Sequence, residues 1–380
     1  MNTHPSELIH SSVKPTPGCP RLAPKDHHKD WARERYKGME NLLMPSFTPD
    51  LKGLDEEGIR HDVRQSIAHG FFSIACVAPL TPLPEYKRLL EIVCEEGNGR
   101  ILVGAYVGEA TEEQNLDLLA HAERVGCSHA VVVPRFFAPA SHDDIYRWYL
   151  RHFEQTNLAL VLYAQNNALQ RHLHPSGFSL ETFARLTELP NVVGVKLTQT
   201  MNPIRAMEVF ERLGQSLQVG PVHLDTVPLL AKSYPVQWSG QWCVESVQSP
   251  EKPYAVMFMD AIVKGDWDEA LRIYWTLEPA YKAFYQLQTP FLQKGGHPWM
   301  HMKYFQWCVG GNGGIIRDIN KPRDQVPVLT AEGRQLIRST YSQIGIACAS
   351  ESDEEFVVGL SNLKKGFEPK DVVTRPLYES

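Results

Sequence analysis

The feature that most constrains this chain is an alternation of two periodicities. Short runs rich in β-branched and apolar residues recur along it, and most are followed by a longer amphipathic stretch. The strand-like runs are Leu42–Thr48, Phe71–Ala78, Ile101–Val107, Ala130–Pro134, Leu158–Ala164, Val192–Thr198, Leu217–Gly220 and Val236–Gln241. Helical spacing follows, for example, over Glu56–Ala68, Glu112–Val125, Ile145–Gln155, Leu180–Thr187 and Pro203–Leu213. Strands that alternate with helices build a parallel sheet, and eight such units close into a barrel. The α/β architecture expected is therefore a (β/α)8 TIM barrel. The rival, an open doubly wound sheet, usually carries a glycine-rich first turn, and Ser46-Phe47-Thr48-Pro49 is not one.

Further helical stretches, Pro253–Lys264, Trp267–Gln286, Met300–Cys308 and Ala331–Ile344, continue beyond the eighth strand and predict a C-terminal helical extension. The chain divides accordingly. Residues 1–38, polar and rich in Pro and His, read as a flexible lead-in; 39–250 form the barrel; 251–349 hold the last barrel helix and the extension; 350–380 read as a loosely attached charged tail.

A net charge of -6, with both signs interspersed, offers no basic stripe for a nucleic acid. No run approaches the ~18 apolar residues of a membrane helix, and the polar N-terminal segment predicts no secretory signal. The cysteines number 7, an odd count with no Cys-x-x-Cys pair, which favours reduced thiols over disulfides or zinc. A cytoplasmic enzyme without metal or cofactor is the expectation.

Active sites of such barrels lie where the strands end. With period two, Val193, Val195 and Leu197 of the sixth strand face the helices, while Gly194, Lys196 and Thr198 face inward. An amine drawn out of water favours its neutral form, the nucleophile that condenses with a ketone or aldehyde. The competing reading is a lysine paired with a barrel carboxylate for structure. On the fifth strand Leu158, Leu160 and Leu162 face outward, which turns Tyr163 inward at the strand end. Adjacent strands lie ~4.8 Å apart, so its hydroxyl can pass protons to an imine next door. The alternative is a core tyrosine satisfied by backbone.

These residues, in this order, resemble the class I aldolases and lyases of the dihydrodipicolinate synthase and N-acetylneuraminate lyase type. The resemblance runs over residues 40 to 345. It rests on Phe47-Thr48-Pro49-Asp50, Gly104 through Val133, Leu162-Tyr163, Val193-Gly194-Val195-Lys196, Gly265-Asp266-Trp267 and Gly313-Gly314-Ile315-Ile316-Arg317. It implies an imine on Lys196, a proton relay through Tyr163, a 2-oxo acid and an aldehyde as substrates, and a homo-oligomer. By the same resemblance Ser46, Thr48, Ala78, Thr198, Ser239 and Gly240 become candidates for substrate binding.

The chain also departs from that family. Ala78-Pro79-Leu80-Thr81-Pro82 replaces a loop whose paired threonines hold the substrate carboxylate, and Pro134-Arg135-Phe136-Phe137 replaces a tyrosine pair. These departures point away from lysine biosynthesis. Phe136, Phe137, Trp238 and Trp242 are candidates for an apolar pocket, or for packing. Arg135 is a candidate carboxylate clamp, or a surface arginine. Asp225 reads as an active-site acid or a helix cap beside Thr226, and His172-Leu173-His174 as a loop. The expected function is a Schiff-base lyase or aldolase with a bulky apolar or aromatic partner substrate. Its rival is a barrel that has lost catalysis and binds a metabolite or scaffolds a partner.

Overall fold

The computed structural model describes residues 24–77, 81–198, 203–292, 294 and 296–379. Its parallel strands are β1 Gly38–Leu43, β2 Ser73–Cys76, β3 Leu102–Val107, β4 His129–Val132, β5 Ala159–Ala164, β6 Val192–Leu197, β7 Gln218–Pro221 and β8 Trp238–Ser239. Hydrogen-bonded neighbours follow the order β7-β6-β5-β4-β3-β2-β1-β8. Side chains close the remaining seam. Trp238 Nε1 donates to the Gln218 carbonyl at 3.1 Å, and the Ser239 hydroxyl to the Pro221 carbonyl at 2.6 Å.

Helix α1 His28–Arg35 precedes the barrel; α2 Glu56–Ala68, α3 Leu83–Gly97, α4 Glu112–Val125, α5 His142–Phe153, α6 Leu180–Leu186, α7 Pro203–Leu213 and α8 Val227–Ala231 follow β1 to β7 in turn. Beyond β8 come α9 Tyr254–Lys264, α10 Trp267–Leu292, α11 Trp299–Cys308, α12 Ala331–Gln343, α13 Asp353–Val358 and α14 Leu360–Lys364. The expected (β/α)8 barrel with C-terminal helices is the fold observed.

Side-chain alternation decides what the barrel encloses. Leu160 and Leu162 of β5, with Leu158 just before it, pack in the outer core while Ala159 and Val161 join an inner cluster with Tyr163 against it, as period two requires. On β6 the register shifts: Leu160 pairs with Val192 and Val161 with Gly194. The extra residue, Val193, lies in the inner cluster, not against the helices as strict alternation predicts. Lys196 keeps its inward direction. Glycines make room for the large interior side chains. A Cβ on Gly104 would stand 2.2 Å from the His129 ring, and one on Gly220 would stand 2.2 Å from the Trp238 ring.

Three expectations need correction. The first strand runs Gly38–Leu43 rather than Leu42–Thr48, so a charged residue, Glu40, occupies its middle. Of the lead-in, residues 1–23 lie outside the described residues, but the rest is ordered against the barrel floor. Ala32 and Tyr36 are fully buried there, and the Tyr36 ring meets Phe72, His129 and Trp238 edge-on at 4.8–5.0 Å. The charged tail is docked as well. Phe356, Val357 and Val358 are buried, Lys365 pairs with Asp55 at 2.6 Å, and Asp353 binds Arg334 and Arg338. An apolar triplet is too short to register as periodicity, yet it suffices to seat the segment.

Candidate functional site

Lys196 and Glu40 meet inside the barrel. Nζ donates to Glu40 Oε1 at 2.9 Å, with both side chains essentially sealed from solvent (2% and 0% exposed). The other carboxylate oxygen, Oε2, accepts from the Tyr36 hydroxyl at 2.7 Å and the Ser73 hydroxyl at 3.4 Å, and lies 3.0 Å from His129 Nε2. Burial alone would raise the Glu40 pKa. The Lys196 charge and the His129 contact outweigh it and hold the carboxyl well below the usual range. A buried carboxylate facing a buried ammonium is thus the central electrostatic fact of this barrel. The sequence raised such a pairing only in general terms and missed Glu40 because it set β1 four residues late. A lone carboxylate within an otherwise apolar stretch is the signal that could have marked it.

Tyr163 stands directly across from Lys196 in the β5–β6 ladder. Its phenol is held above its ordinary range by burial and by Tyr106, with a Thr198 hydrogen bond and the Lys196 charge opposing. Tyr106, on β3, meets the Tyr163 ring edge-on at 5.7 Å, and the Lys196 ammonium lies 5.5 Å from the Tyr106 ring centre. These groups line one small cavity of about 40 Å³, together with Thr198, Gly240, His223, Trp242, Phe284 and Gln288. Gln288 Oε1 and Trp242 Nε1 are buried there with no hydrogen-bond partner among the described residues. Asp225, behind His223, accepts the Tyr285 hydroxyl at 2.6 Å rather than facing the cavity. A second, wider chamber of about 300 Å³ shares Tyr106 and Tyr163 and adds Glu109, Arg135, Gln165 and Trp299.

The candidates named from sequence separate clearly. Lys196, Tyr163, Thr198 and Gly240 converge on the inner cavity, and Arg135 on the outer chamber. Ser46 does not: its hydroxyl belongs to a buried polar network outside the barrel, 3.0 Å from Lys303 Nζ and 3.4 Å from Asp62. Thr48 turns back on its own loop, donating to Asp50 at 2.7 Å. Phe136 packs on Trp148 of α5, and Phe137 is 79% exposed. Trp238 fills the barrel interior, where its ring packs against Gly220 of β7 and Tyr36, and does not line the cavity. Ser239 faces away, tied to β7. Ala78 lies outside the described residues. The apolar wall comes from Trp242, the one aromatic candidate from sequence that reaches the cavity, in the turn after β8, and from Phe284 of α10, which strand-end reasoning did not reach.

A profile of the dihydrodipicolinate synthetase family matches residues 52–292. A protein from Methanopyrus kandleri named 4-hydroxy-tetrahydrodipicolinate synthase is 26% identical over 262 residues, 67% of this chain and 84% of that one. One of the same name from Rhodopseudomonas palustris is 27% identical over 260 residues, 67% of this chain and 83% of that one. Among solved structures, dihydrodipicolinate synthase from Aquifex aeolicus superposes with a TM-score of 0.65 at 20% identity, covering 83% of this chain and all (100%) of that one. N-acetylneuraminate lyase from Fusobacterium nucleatum gives 0.63 at 17% identity, covering 81% and 98%.

Proposed function

This chain belongs to the dihydrodipicolinate synthetase family, and from that membership we propose that it is a Schiff-base enzyme whose Lys196 condenses with a 2-oxo acid, the adduct then reacting with an aldehyde. It is an enzyme of the class I aldolase and lyase kind. The observation that carries the proposal is the shared cavity: the Lys196 amine and the Tyr163 phenol line it from neighbouring strands, in register. The amine attacks the carbonyl carbon. Tyr163, kept as a phenol by burial, donates to the carbinolamine oxygen as it leaves as water and takes the proton back from the next donor. The resulting iminium draws electrons from the adjacent carbon, which becomes the nucleophile towards the aldehyde or, in reverse, the leaving group.

The finer part of the proposal is a bulky, apolar partner substrate. Trp242, Phe284 and Tyr106 support it as an aromatic wall, and the adjoining chamber with Trp299 supports it as room for a large group. Gln288 and Trp242, with their unpaired polar atoms, take over part of the anchoring that a threonine loop performs elsewhere in the family. Arg135 suits an anionic group on the partner. Exposed Leu271 and Trp275, four residues apart on α10, support a homo-oligomer, to be read by light scattering of the purified chain.

One observation favours the rival, a barrel without catalysis: the Lys196–Glu40 pair would serve equally as internal structure. Trapping decides between them. Pyruvate with borohydride should fix a mass adduct on the Lys196 peptide, absent in Lys196→Ala. An adduct on another lysine, or none with any 2-oxo acid, overturns the proposal. An aldehyde panel tests the finer part, which fails if small polar aldehydes give higher kcat/KM than aromatic ones.

A further inference from the structure

We propose that Glu40 is a catalytic residue of the imine chemistry: it takes a proton from the Lys196 ammonium when the amine attacks, and serves as counterion to the iminium that follows. This rests on the imine reading of Lys196 and deepens it.

The geometry divides the two carboxylate oxygens. Oε2 is held by Tyr36, Ser73 and His129, while Oε1 faces Lys196 Nζ at 2.9 Å. Among the described residues, no other acceptor is hydrogen-bonded to Nζ. Gly240 leaves the space in which the pair forms: a Cβ there would lie 2.8 Å from Nζ and 3.1 Å from Glu40 Oε1. Anchoring on one side and exposure to the reacting nitrogen on the other is what a fixed counterion requires.

Charge balance supports the assignment. Condensation converts an ammonium and a carbonyl into an iminium and water, so the nitrogen carries one positive charge before and after. Within the sequence, one ammonium proton crosses to Oε1 and the neutral amine forms its C–N bond. A second proton moves from nitrogen to the former carbonyl oxygen, giving the carbinolamine. The proton lent to Glu40 then restores the Tyr163 hydroxyl, whose own proton completes the departing water as the C–O bond breaks. Glu40 ends ionised, facing the iminium. No external acid, base or oxidant enters. The groups facing the pair are Tyr36, Cys76, Tyr106, His129 and Tyr163, with His223 in the same cavity; burial keeps the tyrosines and Cys76 uncharged and disfavours charge on His223. The anion nearest the reacting nitrogen is therefore Glu40.

The test compares the full-length chain with Glu40→Gln and Glu40→Asp, using pyruvate and cyanoborohydride, which reduces protonated imines, across a pH series. Glu40→Gln keeps the shape and removes the charge, so trapping should retreat towards acid by about one pH unit or more, a tenfold change in the protonation equilibrium. Glu40→Asp should trap more slowly with the pH profile of the parent. An unchanged rate and profile in Glu40→Gln, or in Glu40→Asp if the glutamine variant does not fold, overturns the inference and leaves the imine reading intact. Absence of any adduct on the parent chain overturns the imine reading itself. The parent adduct also provides a measurement free of variants. With pyruvate labelled at its carbonyl carbon, the resonance should stay that of an iminium well into alkaline pH. A resonance titrating near neutrality would overturn the counterion role.

Discussion

Gly240 lies against the end of Lys196, so close that a methyl group in its place would sit 2.8 Å from Nζ and 3.1 Å from Cε. Contacts that short require something to move, and the two groups nearby are the reacting amine and its carboxylate. Gly240→Ala should therefore reduce adduct formation by ~10²-fold if the amine is displaced by about an ångström. Overpacking should cost ~1–3 kcal/mol of stability. Adduct mass spectrometry and urea unfolding measure the two effects separately; full adduct yield in the variant contradicts the placement.

Tyr163→Phe keeps the ring and its edge-on contact with Tyr106 but loses the hydroxyl. A general acid–base role predicts a fall in kcat of ~10²-fold or more with little change in KM. Because burial holds this phenol above its ordinary range, the parent should show no loss of kcat from its ionisation below pH ~10. Steady-state kinetics over a pH series reads both, and a kcat unaltered in the variant assigns the relay elsewhere.

Gln288, on α10, is 2% exposed and lines the cavity with an unpaired Oε1. Gln288→Leu fills similar volume without hydrogen bonding. Losing one hydrogen bond to substrate should raise KM by about tenfold, with kcat less affected. An unchanged KM means the amide touches no substrate.

Glu245 supplies a pH dependence outside the cavity. Burial, against hydrogen bonds from Asn41 and Gln306, pushes its pKa up to about 7 from an ordinary 4.5. Between those values the folded state keeps a proton that the unfolded chain releases, so stability falls as pH rises through the window. The shift corresponds to about 3 kcal/mol, at ~1.4 kcal/mol per unit. Denaturant unfolding from pH 5 to pH 8 should show that decline, and Glu245→Gln should flatten it. A variant with the parent's slope would locate the effect in another group.

The docked tail makes its own prediction. Phe356 is fully buried and packs on Tyr304, Trp307 and Tyr378 at 5.0–5.8 Å. Phe356→Ala should lower unfolding free energy by ~3–5 kcal/mol. A change within experimental scatter would mean the segment is dispensable.

Much of the architecture was legible in the residues. Alternation of period two with helical spacing predicts the barrel, and the outward leucines of β5 turn Tyr163 inward without reference to any other strand. Lys196 keeps its direction despite the bulge at Val193, since the shift falls before Gly194. The first strand was misplaced for an equally physical reason. Met44-Pro45-Ser46-Phe47-Thr48 extends an apolar run, whereas Gly38-Met39-Glu40-Asn41 contains a carboxylate that strand preference disfavours. Of the two readings open for Trp238, pocket or packing, the structure shows packing, because a strand end in sequence does not reveal at which height of the barrel it stops.

The sequence by itself determined that Lys196 and Tyr163 point into the barrel, because burial alternates with local backbone geometry over a handful of residues. Only the tertiary structure decided what they meet there. Glu40 and Lys196 stand 156 positions apart, and Glu40 and His129 stand 89 apart. A carboxylate can be buried in the middle of a strand only when those partners arrive from other strands to offset its lost hydration, and that compensation exists nowhere in the chain until the barrel closes.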